Sequence, residues 1–222
     1  MAGRVAAFFD VDKTILAENS GKLYLQLLYE RGEIDAWAVA SNLGSYLRYK
    51  LNLLDVERWV EQTMVQLAGQ AEADFVAETE SFFAQRVLPV IYPEAERRVR
   101  KHLELGHFVA LVSGSTRYVL DPLAAHLGVK HVLCTELESD QGVLTGRVVE
   151  PVCFGRGKVH RLSQLIECEG LDLPRSWFYT DSMSDLPLLE LVGHPVVVNP
   201  DPPLYREARR RRWPIEFFEE PV

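Results

Sequence analysis

Residues 4–14, Arg-Val-Ala-Ala-Phe-Phe-Asp-Val-Asp-Lys-Thr, decide how the rest of the chain is read. The apolar run 4–9 is short, unbroken and stops at Asp10, which is how a strand buried on both faces of a parallel sheet reads. One strand needs partners, and none follows at once. From about 20 to 87 the pattern is helical and strand-free. Ser20 is expected to cap a helix with Leu23, Leu27 and Leu28 on its apolar face, ended by Gly32. Asp35 would cap a second carrying Val39, Leu43, Tyr46 and Leu47, and Asp55 a third carrying Trp59, Val60, Met64 and Leu67, ended by Gly69. A fourth runs through Phe75, Phe82 and Phe83. Each shows apolar 3–4 spacing, and the first three a capping residue, which together predict a four-helix insert.

After Pro89 helices and strands alternate. Expected are a helix from Pro93 to Leu105, a strand over 107–112, a helix from about Thr116 to Leu127 and a strand over 130–134. A hairpin within 135–150 turns near Gly142. Then come helix 157–168, strand 176–180, helix 185–191, strand 195–198, a helix near 203–211 and strand 214–218. Such alternation builds a parallel sheet with helices on both faces, and strand 4–9 belongs to it. The expected fold class is therefore α/β, a Rossmann-like parallel sheet with an inserted helical bundle. Residues 1–17 and 89–222 would form the α/β core and 18–88 the four-helix domain.

Composition bounds the function. The 222 residues allow one large domain or two small ones, with enough buried surface to fold without staples. A net charge of −8 argues against a nucleic-acid partner held through phosphate contacts, but not against a small anion in a locally basic site. Cys134, Cys153 and Cys168 are odd in number and lack CxxC spacing, so neither a disulfide framework nor a cysteine zinc site is expected. No apolar run approaches the ~18 residues of a membrane span, and Asp10, Asp12 and Lys13 interrupt the early apolar stretch where a leader would sit. No membrane partner is expected, and the location expected is cytoplasmic. The six histidines form no HxH or HExxH pattern. Arg209–Arg212 reads as a solvated helix end, and Trp37 and Trp59 as core of the insert.

In open α/β sheets ligands bind beyond the carboxyl ends of the strands, and four such ends carry chemistry. Asp10 and Asp12 after the first strand can hold Mg²⁺, which takes oxygen ligands and few protein carboxylates. They can equally divide into nucleophile and acid/base. Ser113-Gly114-Ser115-Thr116 offers N–H groups and a hydroxyl at a helix start, an anion seat or an ordinary cap. Lys158 stands in the first turn of a helix, where a cation is unfavourable unless it neutralises something. Asp181 and Asp185 cluster after strand 176–180. Alone, each has a bland reading as a turn or a cap. Together their types suit phosphoryl transfer, which needs positioning and charge neutralisation.

FFDVDKTI, VSGS, the lysine of GRGK and YTDSMSDLP resemble the four motifs of the haloacid dehalogenase superfamily of phosphatases. The helical insert after the first resembles the cap of its phosphoserine-phosphatase-like branch, subfamily IB. LESDQGVLTGRV is similar to that branch's hairpin and VNPDPPLYREARRRRWPI to its C-terminal end. The resemblance implies a Mg²⁺-dependent hydrolase of a small phosphorylated metabolite, working through an aspartyl-phosphate. It implies Asp10 as nucleophile and Asp12 as general acid/base, Asp12 also binding Mg²⁺ through its main-chain carbonyl. Ser113 and the N–H of Gly114 would bind phosphate, Lys158 would neutralise charge, Asp181 would bind metal with Asp10, and Asp185 would support the metal or Lys158.

The pattern departs from the branch seven residues past Asp12. Phosphoserine phosphatases carry a glutamate there that meets the substrate amino group, and this chain has Asn19. Glu18, Asn19, Ser20 and Arg48 are the candidates for substrate choice, Arg48 for a substrate carboxylate. Asp12-Lys13-Thr14 also echoes ion-pumping ATPases, but Ile15 stands where they have glycine and no membrane domain is expected. The alternatives left are a phosphotransferase with an acceptor other than water and a non-catalytic phospho-accepting domain. The second acid two residues after the first argues against the latter.

Overall fold

A computed structural model describes residues 3–37, 41, 56–219 and 221. Strand β1, Ala6–Phe9, is the middle of seven strands, for which the order is β4-β3-β2-β1-β5-β6-β7. Its neighbours are β2, Phe108–Thr116, and β5, Trp177–Thr180, both parallel to it. β6, His194–Val198, and β7, Ile215–Glu216, extend one side in parallel. On the other side lies β3, His131–Asp140, paired antiparallel with the edge strand β4, Val143–Val149. The fold is the α/β class expected, with helices inserted after the first strand.

The alternation of side chains along β1 divides the core. Ala7 and Phe9 enter one cluster, with Leu23, Leu27, Val99, Leu120 and Leu123. Ala6 and Phe8 enter the other, with Leu162, Leu188, Leu189 and Leu204. All four β1 side chains are buried, and each phenylalanine contributes roughly 1.5–3 kcal/mol through that burial. Helices α4 (Pro93–Glu104) and α5 (Arg117–Leu127) cover the first face; α6 (Arg156–Glu169), α7 (Leu186–Leu189) and α8 (Pro202–Arg211) cover the second.

The insert contains α1 (Ser20–Glu30), α2 (Val56–Met64) and α3 (Glu72–Phe82), with a π-helical turn over Phe83–Val87. Most of the helix expected around Val39, Leu43, Tyr46 and Leu47 lies outside the described residues, as do Asp55 and Arg48. The cap of α1 is Asn19 rather than Ser20: its side chain accepts from the N–H of Lys22, and Ser20 begins the helix. Where the insert leaves and rejoins the core, Leu16 pairs with Ile91. Ala17 N donates to Val90 O at 2.8 Å and Tyr92 N to Ile15 O at 2.9 Å. On this stitching we propose the division between core and insert at 17/18 and 88/89. The insert also lies along the hairpin edge, Gly69 N donating to Leu144 O and Leu144 N to Gln70 O, both at 2.9 Å.

Several boundaries differ from expectation. Strand 130–134 and the first arm of the hairpin are one continuous strand, turned at Gln141 and Gly142, both at positive φ as a tight hairpin turn requires. β2 runs through the Ser113–Thr116 stretch with a register irregularity, so α5 starts at Arg117. The helix expected over 185–191 is a 3₁₀ turn, Met183–Asp185, followed by four residues of α7. The last strand shortens to Ile215–Glu216, after which the N–H of Phe218 turns to the side chain of Asn199.

Candidate active site

Sheet register assembles the site. Phe9 lies beside Leu111 on β2 and Tyr179 on β5. One residue further Asp10 leaves the sheet, and Ser113 and Asp181 emerge one step beyond its neighbours on either side. Phe9 stacks on Tyr179 at 4.5 Å between ring centroids, and Asp10 N donates to Tyr179 O at 2.9 Å, so the base of Asp10 is fixed. Lys13 then adopts a left-handed φ of 61°, which turns the chain towards α1.

Lys158 arrives from α6. Gly155, at φ 50°, caps that helix, and a Cβ on Gly157 would lie 1.9 Å from the carbonyl oxygen of Val152. Only glycine permits this approach, and it turns Lys158 inward to 3 % exposure. Its ammonium donates to Asp10 Oδ1 at 2.6 Å and to Asp185 Oδ2 at 2.8 Å. The bland reading of Lys158 as a solvated side chain is thereby excluded. Thr180 Oγ1 also donates to Asp185 Oδ2, at 2.7 Å, while Asp185 Oδ1 is buried without a partner.

Asp12 is held through both oxygens: Ser20 N donates to Oδ1 at 2.8 Å and Asn19 Nδ2 to Oδ2 at 2.9 Å. Ser113 is buried and its Oγ accepts from Ser115 N at 3.1 Å. Gly114 follows, with ordinary contact distance, 3.6 Å, between a Cβ there and Cys153 O. Glu18, a candidate for substrate choice, forms an exposed ion pair with Lys22. Three contributors were given no role of their own from the sequence. Thr180 sits inside the quoted YTDSMSD stretch, where a hydroxyl beside two acids was the available signal. Ser115 bonds the hydroxyl of Ser20 at 2.7 Å. Asp201 accepts from Met183 N at 3.0 Å while capping α8 through Leu204 N at 2.8 Å, and its own N–H donates to Asp181 O at 2.8 Å. No sequence pattern near Asp201 marks that link.

Electrostatics make the site short of positive charge. Burial, with the nearby charges of Asp185 and Asp12 and against the pull of Lys158, raises Asp10 to about 7. Burial also raises Asp12, and burial together with Asp10 and Asp185 holds Asp181 well above the usual carboxylate range. Burial alone would lower Lys158, but Asp10 and Asp185 outweigh it and keep the ammonium charged. Among the described residues no three His, Cys, Asp or Glu side chains are gathered to hold a metal by themselves. That suits Mg²⁺, which typically takes one or two carboxylates and fills its shell with carbonyls, waters and phosphate oxygens. The carboxyl groups of Asp10, Asp181 and Asp185 outnumber Lys158, an imbalance that a divalent cation held by one or two of them would offset.

The profile of haloacid dehalogenase-like hydrolases matches residues 7–190, most of the chain and all four motif ends. The chain belongs to that family. Its relatives include a histidinol-phosphatase of Neisseria meningitidis, 30 % identical over 96 % of this chain and 98 % of that protein. A phosphoserine phosphatase of Mycobacterium tuberculosis is 32 % identical, over 96 % of this chain and 70 % of its own length. A Bordetella pertussis protein of unknown function has the same fold at a TM-score of 0.88, 33 % identical, covering 96 % of this chain and 98 % of its own. As a haloacid dehalogenase-like hydrolase with such relatives, the chain is a phosphatase.

Proposed function

We propose that the chain is a Mg²⁺-dependent phosphomonoester hydrolase of small metabolites that works through an aspartyl-phosphate on Asp10. The observation that carries this reading is the Asp10–Lys158–Asp185 contact, with Asp12 held two residues beyond the nucleophile. Lys158 donates to Asp10 Oδ1 and so fixes the carboxylate from one side. A carboxylate oxygen of Asp10 attacks phosphorus, and the leaving alkoxide takes a proton from Asp12. Asp12 then takes a proton from the water that attacks the aspartyl-phosphate, which releases inorganic phosphate and restores Asp10. Ser113 and the N–H of Gly114 hold phosphate oxygens, and Lys158 neutralises charge shared by nucleophile and phosphate. Asp10, Asp181 and the main-chain carbonyl of Asp12 would hold Mg²⁺, which would add positive charge against the phosphoryl oxygens.

The two named relatives suggest the substrate class. Phosphoserine and histidinol phosphate are both phosphate esters of a primary alcohol with an amine on the next carbon. Asn19, standing where phosphoserine phosphatases place a glutamate, favours a substrate other than phosphoserine. A panel of phosphate monoesters assayed with Mg²⁺ tests this reading. Phosphate release that stops on chelation and favours other amino-alkyl esters, such as histidinol phosphate, over phosphoserine is expected. Full turnover in EDTA, or phosphoserine as the best substrate, would overturn the corresponding part.

A further inference from the structure

We propose that Asn19 is a positioning residue for Asp12, acting with the backbone N–H of Ser20 as a two-point clamp built from the first turn of α1. The proposal rests on Asp12 being the acid/base of the hydrolase reaction. Asn19 was a candidate for substrate choice, but its amide is committed elsewhere. Oδ1 accepts from Lys22 N at 3.0 Å and caps α1, while Nδ2 donates to Asp12 Oδ2 at 2.9 Å. The opposite amide orientation would set an oxygen against the carboxylate and an NH₂ against an N–H, so both partners fix the same orientation. Ser20 N takes the other carboxylate oxygen at 2.8 Å. This N–H is one of those an α-helix leaves without an internal partner, and it lies at the end of the helix that favours negative charge.

The clamp is also tied to the phosphate seat. Ser20 and Ser115 share a hydroxyl hydrogen bond of 2.7 Å, and Ser115 N donates to Ser113 Oγ at 3.1 Å. The first turn of the inserted helix therefore sets where Asp12 points and where it stands relative to Ser113. A carboxylate bonded at only one oxygen can turn about its χ2. One bonded at both is held in one orientation, and that orientation serves both the leaving group and the attacking water.

The test separates positioning from capping. Asn19→Ser keeps a side chain that caps well but lacks the amide that reaches Asp12. With 4-nitrophenyl phosphate the leaving group departs without a proton, so kcat/KM reports a step that does not need Asp12, whereas breakdown of the phosphoenzyme does. Asn19→Ser is expected to lower kcat at least ~10-fold while kcat/KM stays within about 3-fold of wild type. In an Asp12→Asn background the same change should have no further effect. If Asn19→Ser does not fold, Asn19→Thr, which also caps and adds no charge beside Asp12, carries the same expectation. A parallel fall of kcat and kcat/KM, or a further loss in the Asp12→Asn background, would overturn the clamp and leave the phosphatase reading intact. Wild-type enzyme inert towards every phosphate ester of the panel would remove that reading and the clamp with it.

Discussion

Lys158 shows how much can rest on one side chain. It sits at the positive end of α6, where a lysine has no electrostatic reason to be, and the two carboxylates it contacts supply the reason. Lys158→Ala is expected to fold, as judged by far-UV circular dichroism, and to lose at least ~10²-fold in phosphate release. Lys158→Arg should recover little, because a planar fork does not fit where a point charge bridges two buried carboxylates. Near-full activity in the alanine variant would contradict the assignment. Gly157 is the residue that makes this placement possible. A methyl group there would meet Val152 O at 1.9 Å, so the first turn of α6 must shift. Gly157→Ala should destabilise by at least ~2 kcal/mol in urea unfolding and lose activity as Lys158 moves. The sequence made Lys158 legible through its odd position in a helix, but the steric need for Gly157 depends on Val152, whose backbone approach no local pattern reveals.

Elements were legible where one rule governed them. β1 could be read because a strand buried on both faces carries no polar residue, and α4 because Pro93 opens it and Gly106 follows it. The Ser113–Thr116 stretch was harder: Ser and Thr favour helix caps, yet pairing with β3 keeps this segment in the sheet as far as Thr116. The same competition misassigned the cap of α1, where Asn19 and Ser20 are both good caps and Asp12, seven and eight residues back, decides between them. At α8 one carboxylate serves two elements, capping the helix and holding the turn that follows Asp181. Asp201→Ala should therefore cost about 1–2 kcal/mol of stability and raise the Mg²⁺ concentration needed for half-maximal activity. Unchanged Mg²⁺ dependence together with unchanged stability would contradict that coupling.

At the scale of the molecule, the sheet separates chemistry from scaffold. The acids and Lys158 gather at the carboxyl ends of the strands. The opposite ends carry a stack of His107 on Trp177 and Trp177 on His194, with His102 bonded to both Tyr179 and His107. Burial first, then the charge of His107, holds His102 down at about 4. Between the ordinary value near 6.5 and 4 the unfolded chain takes up a proton at His102 that the folded chain refuses. Its neutral packing thus stabilises above about pH 6.5 and loses up to ~3 kcal/mol as the pH falls to 4. Urea midpoints measured across that range should show this loss, and His102→Gln should flatten it. A wild-type slope no steeper than that of the variant would contradict the account. The division into layers could be read from strand–helix alternation, whereas this histidine–aromatic cluster could not, because its members are scattered over 102–194 and only sheet register joins them. The central claim, that Asp10 carries the phosphoryl group, is tested most directly by rapid quench of Asp12→Asn with ³²P-labelled aryl phosphate, followed by peptide mapping. The leaving group needs no acid, but the attacking water still needs its base, so label should accumulate on Asp10, with turnover reduced ~10²–10⁴-fold. Label on residue 12 of the wild-type enzyme, or steady turnover by Asp10→Asn, would contradict it.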